Sequence, residues 1–148
     1  GPRQSARAII PTIFSQLMLG DELSLGNLTP TRDLTYVSDT CRGFIELANH
    51  PQLNGEVVNI GSNQEISIKD LASLIQSIVG KESKITESEE RLRPDKSEVD
   101  RLLCDNSKIC ELTSWKPEID LKSGLDNVFK WMQSIDLNQI YKADRYNV

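Results

Sequence analysis

The stretch Pro30-Thr31-Arg32-Asp33-Leu34-Thr35-Tyr36-Val37-Ser38-Asp39-Thr40 constrains this chain more than any other, because it carries a turn, a short strand and a helix start in succession. Leu34 and Tyr36 alternate with Asp33 and Thr35, which predicts a half-buried strand. Ser38 and Asp39 then supply an N-cap oxygen and first-turn negative charge. Cys41, Phe44, Ile45 and Ala48 follow at i, i+3, i+4 and i+7, so the helix has one apolar stripe. Arg32 stands at the mouth of the strand, where a planar guanidinium offers a two-pronged donor to a phosphate or carboxylate. The competing reading is a solvated arginine paired with Asp33 or Asp39, the commoner state of arginine.

The same periodicities organise the rest. Ile10, Ile13, Phe14, Leu17 and Met18 predict an amphipathic helix stopped by Gly20, with Pro11 in its first turn. Leu23-Ser24-Leu25 reads as a strand closed by a Gly26-Asn27 turn, and Pro51 to Gly55 as a connecting turn. Val57-Val58-Asn59-Ile60, between Gly55 and Gly61, predicts a buried strand reached by a parallel crossover. Ser67-x-x-Asp70 starts a helix with Leu71, Leu74, Ile75 and Ile78 on its apolar face and Gly80 at its end. Lys84 to Thr86 is a weak strand, and Glu87 to Arg101 a loop of mixed charge. Asp105 or Asn106 caps a short helix over 107–112, which Trp115-Lys116-Pro117 ends. Leu121, Leu125, Val128, Phe129 and Met132 form a last helical stripe, and the tail from Asp136 to Val148 is expected to fray.

A chain of 148 residues makes one domain and buries roughly 68–70% of its unfolded surface. The net charge of −5 argues against a nucleic-acid partner, since a phosphate backbone needs a basic face. No apolar run reaches membrane-spanning length and no signal-peptide core is present, so no membrane partner is expected. Cys41, Cys104 and Cys110 leave one thiol unpaired under any connectivity, which predicts reduced cysteines and a cytoplasmic location. His50, the only histidine, follows a helix end, so no metal site is expected.

Thr31-Arg32-Asp33-Leu34-Thr35-Tyr36-Val37-Ser38-Asp39 resembles the Thr-Arg-Asp-Phe-x-Tyr-Val-x-Asp segment of the extended short-chain dehydrogenase/reductases that act on nucleotide sugars. Other matches keep that family's order: Gly1-Pro2-Arg3-Gln4, Ile10-Pro11, Asn59-Ile60-Gly61, Arg93-Pro94-Asp95-Lys96-Ser97-Glu98-Val99, Asp105-Asn106-Ser107-Lys108 and Trp115-Lys116-Pro117. The resemblance implies an α/β fold, the C-terminal portion of a Rossmann-type enzyme, mostly helical with a few short strands and without the dinucleotide-binding half. Residues 1–135 would be the substrate-binding portion and 136–148 a tail. No Gly-x-Gly occurs among the eight glycines, and none of Tyr36, Tyr141 and Tyr146 has a lysine four residues on. NAD is therefore expected in the parent protein, bound by the missing half, and this fragment is expected to hold no cofactor and no catalytic residue.

The resemblance also assigns roles. Arg32 and Arg93 would clamp the diphosphate and ribose of a nucleotide-diphosphate sugar, with Arg7 as an added phosphate contact. Glu98 would accept from a ribose hydroxyl, although its distance from Arg93 is longer than in the 4-epimerases. Ile10 and Pro11 lie where the family packs the base, and Ile66 or Ile68 lines the same slot; plain core is the alternative for each. Asn59 reads better as satisfying a turn than as touching ligand. The wording of the Pro2–Ala8, Leu25–Asp33 and Arg91–Val99 segments most resembles the 4,6-dehydratases of nucleotide-activated N-acetylglucosamine in legionaminic acid pathways, which serve cell-surface polysaccharide synthesis. A 4-epimerase or a non-catalytic nucleotide-sugar-binding module are the alternatives. The parent is expected to be a homodimer, and the fragment to associate through exposed apolar helix faces.

Overall fold

In the computed structural model, residues 1–5, 7–91 and 99–140 are described. The elements are α1 (Ile9–Leu19), β1 (Leu23–Leu25), β2 (Thr31–Asp33), α2 (Val37–Ala48), β3 (Glu65–Ser67), α3 (Ile68–Val79), β4 (Ile85–Glu87), β5 (Arg101–Leu102), α4 (Ser107–Leu112), α5 (Leu121–Gln133) and α6 (Leu137–Ile140). Short 3-10 turns cover Pro51–Leu53 and Glu89–Arg91. β1 pairs in parallel with β4. β2 is the middle strand of a second sheet, antiparallel to β3 and parallel to β5.

The apolar stripes read from the sequence put α1, α3 and α5 around β1. Ile13, Phe14, Leu23, Leu71, Ile75 and Met132 are fully buried, with Leu17, Leu25 and Leu125 nearly so. Phe14 and Phe129 stack with ring centroids 5.8 Å apart. Each such side chain contributes about 1.5–3 kcal/mol on leaving water, so this cluster is the main source of stability. Polar groups inside it are paired. The Gln16 amide donates to the Ser24 carbonyl at 3.0 Å and accepts from the Ser24 N–H at 2.7 Å, standing in for a neighbouring strand along β1.

The capping signal read at α3 holds, and α5 has a cap, at Asp120, that its stripe did not announce. Ser67 Oγ accepts from the Asp70 N–H at 3.0 Å, Gly80 closes α3 in the left-handed region (φ 73°), and Asp120 accepts from the Ser123 N–H. At α4 the N-cap is Asn106, which makes no side-chain capping bond and donates to the Gly61 carbonyl at 2.8 Å; the Asp105 carboxylate, one residue earlier, accepts from the Ser107 N–H at 3.0 Å.

Four expectations need correction. The strand of the organising stretch is Thr31–Asp33, not Asp33–Tyr36, because the ladder to β3 and β5 ends at Asp33. No N-cap oxygen comes from Ser38 or Asp39, since the N-cap of α2 is Tyr36, which makes no side-chain capping bond, while Asp39 does supply the expected first-turn negative charge. Val57–Ile60 forms no strand among the described residues: Val57 is 82% exposed, the segment has no ladder partner, and the Val57 carbonyl accepts from the Lys108 side chain at 3.0 Å instead of from a neighbouring strand. Leu137, in the segment expected to fray, is buried against the α1–α3–α5 core within α6. The expected apolar face of α2 is present and bare, with Phe44 65% and Ile45 64% exposed.

Candidate functional site

The site grows from β2. As the central strand it has a ladder partner on each side, Ile66 and Leu102 facing Arg32, so its backbone is fixed where the arginine must project. Asp33 then locks its end. Its carboxylate accepts from the Ser62 N–H (3.0 Å) and hydroxyl (2.5 Å), the Asn63 N–H (2.9 Å) and the Cys104 N–H (3.2 Å). One side chain thus ties β2 to the 61–64 loop and to the chain leaving β5. Gly61 is required at this junction, since a Cβ there would stand 2.2 Å from the Cys104 Cβ. Asp39 is likewise engaged, by Arg42 and by the Glu118 and Ile119 N–H groups. The two carboxylates proposed as surface partners of Arg32 are therefore committed to the scaffold.

Arg32 donates to the Thr31 carbonyl at 2.7 Å and borders a cavity of about 150 Å³. Arg7, Ile9, Thr12, Ile68 and Arg91 share that cavity, and Leu25, Gly26, Asn27 and Pro30 complete its wall. Three arginines thus line one cavity beside an apolar wall of Ile9, Leu25 and Ile68. Such a wall accepts a flat, weakly polar ring, and the arginines offer paired donors to phosphate oxygens. On the outer edge of the same sheet, Arg101 and Thr31 both hydrogen-bond to Glu65, and they hold its carboxyl down at about 2. That bridge joins β3 to β5 across β2, bracing the strand that bears Arg32.

Of the residues expected from the sequence, Arg32, Arg7 and Ile68 come together in this cavity. Arg93 and Glu98 lie outside the described residues. Pro11 is buried in the first turn of α1, and Ile10 faces a different cavity with Leu34, Tyr36 and Gly124. Their neighbours Ile9 and Thr12, one helical turn apart, point to Arg32 instead. Ile66 borders a third cavity with Gln64 and Leu121. Asn59 donates to the Asp105 carbonyl at 3.3 Å, a long-range tie to the loop before α4 and not a bond within its own turn. Arg91 is the residue that sequence reasoning did not single out. Its only sequence signal is its place two residues before Arg93 in the Arg91–Val99 segment that carries the family resemblance.

The described residues do not fit a dinucleotide. The strand-to-helix junctions among the described residues are β2–α2, linked by Leu34, Thr35 and Tyr36, β3–α3, where Ser67 itself caps the helix, and β5–α4, linked by Leu103, Cys104, Asp105 and Asn106. None of the three has a glycine to admit a pyrophosphate to backbone N–H groups. No group of metal-ligating side chains occurs among the described residues, and no helix among them is long and apolar enough to cross a membrane.

Comparison with known proteins identifies relatives of the whole fold. A UDP-glucuronate 4-epimerase from Thermodesulfobacterium geofontis is 34% identical over 120 residues, 80% of this chain and 35% of that protein. TunA, an NAD-dependent NDP-hexosamine 5,6-dehydratase of tunicamycin biosynthesis, superposes with a TM-score of 0.80 at 27% identity over 95% of this chain and 44% of its own. A UDP-glucuronic acid 4-epimerase from Bacillus cereus, solved with UDP-glucuronic acid and NAD, gives a TM-score of 0.78 at 30% identity over 90% of this chain and 42% of its own. The chain spans less than half the length of each of these relatives. Residues 1–128 match the family model described as GDP-mannose 4,6 dehydratase, and the chain belongs to that family of NAD-dependent, nucleotide-sugar epimerases and dehydratases with the extended short-chain dehydrogenase fold.

Proposed function

We propose that residues 1–135 are the sugar-nucleotide-binding portion of an NAD-dependent 4,6-dehydratase acting on a nucleotide-activated N-acetylglucosamine, with residues 136–148 as its C-terminal tail. The observation that carries this is the convergence of Arg7, Arg32 and Arg91 beside an apolar wall on one cavity. The arginines hold the diphosphate, while Ile9, Leu25 and Ile68 receive the base. Arg93 and Glu98 enter the proposal on the resemblance, as a second diphosphate contact and a ribose contact. Hydride transfer and proton transfer belong to the rest of the parent, where NAD is bound. The likeness to an NDP-hexosamine dehydratase supports the amino-sugar reading. The parent works in the cytoplasm as a homodimer in this reading.

A 4-epimerase is the second reading, and the likeness to UDP-glucuronate 4-epimerases favours it. Incubating the parent enzyme with UDP-N-acetylglucosamine separates the two: a dehydratase product is lighter by one water in mass spectrometry, and an epimerised product is not. The binding role is tested by Arg32→Ala in the same protein. KM is expected to rise by an order of magnitude or more, about 1.5–3 kcal/mol for a charged contact. Unchanged KM and kcat would remove Arg32 from the site.

A further inference from the structure

Gly26 follows β1 directly and lies where the Glu89–Arg91 turn crosses the wall of the arginine cavity. A Cβ added to Gly26 would stand 2.4 Å from the Arg91 carbonyl oxygen and 3.1 Å from its carbonyl carbon. The obstacle is main chain, so no side-chain rotation relieves it. Gly26 is not among the residues with positive φ, so the position needs a glycine for space and not for backbone conformation.

The close approach is built from both sides. β1 and β4 run in parallel register, with Leu25 opposite Glu87. The Ser88 N–H then donates to the Leu25 carbonyl at 2.7 Å, and the Arg91 N–H to the Ser88 carbonyl at 3.0 Å. Strand pairing therefore lays the turn across Gly26, and Arg91, the last residue of that turn, lines the cavity together with Arg32 and Arg7. A side chain at position 26 would lift the turn, and Arg91 would move with it while Arg32 stayed fixed on β2.

We propose that Gly26 is a positioning residue of the anion site: the absence of its Cβ holds Arg91 against the cavity it shares with Arg32 and Arg7, so position 26 governs nucleoside-diphosphate affinity through Arg91. This rests on the reading of the cavity as a nucleotide-diphosphate site. The guanidinium fork rewards placement as well as charge, which is why a shift of the turn is felt by a phosphate ligand.

The test is a double-mutant cycle on the 148-residue chain, read by calorimetric titration with UDP, GDP and dTDP. Gly26→Ala and Arg91→Ala are each expected to weaken the best-bound diphosphate about tenfold, the size of one charged contact. In the Arg91→Ala background, Gly26→Ala is expected to add less than about twofold, because the group it positions is gone. Equal losses in both backgrounds, or no loss from Gly26→Ala alone, overturn the role of Gly26. Failure of the unmutated chain to bind any of the three diphosphates overturns the cavity reading itself and the inference with it. Should Gly26→Ala not fold, nitrogen-15 NMR of the unmutated chain decides. The Gly26 amide is expected to shift on adding diphosphate and to stay still in Arg91→Ala; an equal shift in both would mean direct contact with ligand and end the proposal.

Discussion

Helices α2 and α3 are each 12 residues long and each carry a clear apolar stripe, yet they meet opposite fates. α3 buries its stripe: Leu71 and Ile75 have no exposure and pack with α1 and α5. α2 turns its stripe outward, leaving Phe44 and Ile45 about two-thirds exposed and Cys41 open to solvent. What α2 buries instead is Asp39 and Gly43. It is fastened to the body by polar anchors. Asp39 holds the 118–119 backbone, Arg42 donates to the Lys116 carbonyl at 2.8 Å, Glu46 accepts from Ser114, and the Trp115 indole donates to the Asp39 carbonyl at 3.0 Å. Val58 and Ile60 run beside Phe44, Leu102 and Leu103 along one open groove, which continues the bare face. A stripe at helical spacing thus says which residues share a side, and nothing about what lies against it. In relatives more than twice as long as this chain, further protein is available to cover such a face.

The comparison is broken most severely at α3. Ile75→Ala is expected to cost about 2–5 kcal/mol, a transfer loss plus a cavity in a close-packed core, read as a lower midpoint in urea melts. A loss below about 1 kcal/mol would mean that the α3 contacts are no firmer than those of α2.

Next comes the polar anchor of α2. Burial pushes the Asp39 carboxyl up, but the Arg42 guanidinium and the Ile119 and Glu118 N–H groups outweigh it and hold it below the ordinary 3.8. A folded-state value below the unfolded one adds stability above that range, lost as pH falls through the lower, folded-state value. Asp39→Asn is expected to cost about 1.5–3 kcal/mol at neutral pH, with the gap to the unmutated chain narrowing in acid. Equal stability of the two at neutral pH would show that apolar contacts alone seat the helix.

The smallest effect on folding is expected on the bare face. Phe44→Ser with Ile45→Ser removes side chains already in water, so stability is expected to stay within about 0.5 kcal/mol per site. Sedimentation velocity should show concentration-dependent association of the unmutated chain and less of it in the double variant. A loss like that of Ile75→Ala would instead mean that the α2 face is covered in solution.

Much of the fold could be read from local chemistry. The Ile13–Phe14–Leu17 stripe, the Ser67 cap with Asp70 and the Gly80 stop act within one or two turns, and each was found where its spacing put it. Long-range outcomes were not readable in the same way. Val57–Ile60 has the β-branched composition of a strand, but a strand is a pairing, and its partner cannot be inferred from its own residues. Asp39 has the sequence position of a first-turn acid and the tertiary job of a buried anchor, because the 118–119 backbone arrives from far along the chain. Within the site, Arg32 was legible from its motif and Ile68 from its apolar type. Arg91 was not, since only the pairing of β1 with β4 and the bare backbone of Gly26 bring its turn to the cavity.

The sequence by itself determined the helix faces, their caps and stops, the family and the arginine at the head of β2, all set by short-range periodicity or by unbroken motifs. Tertiary structure alone decided which stripe is covered, which carboxylates are spent on the scaffold, and which arginines share one cavity. Those outcomes depend on loop closure between residues tens of positions apart, where pairing, burial and excluded volume act together.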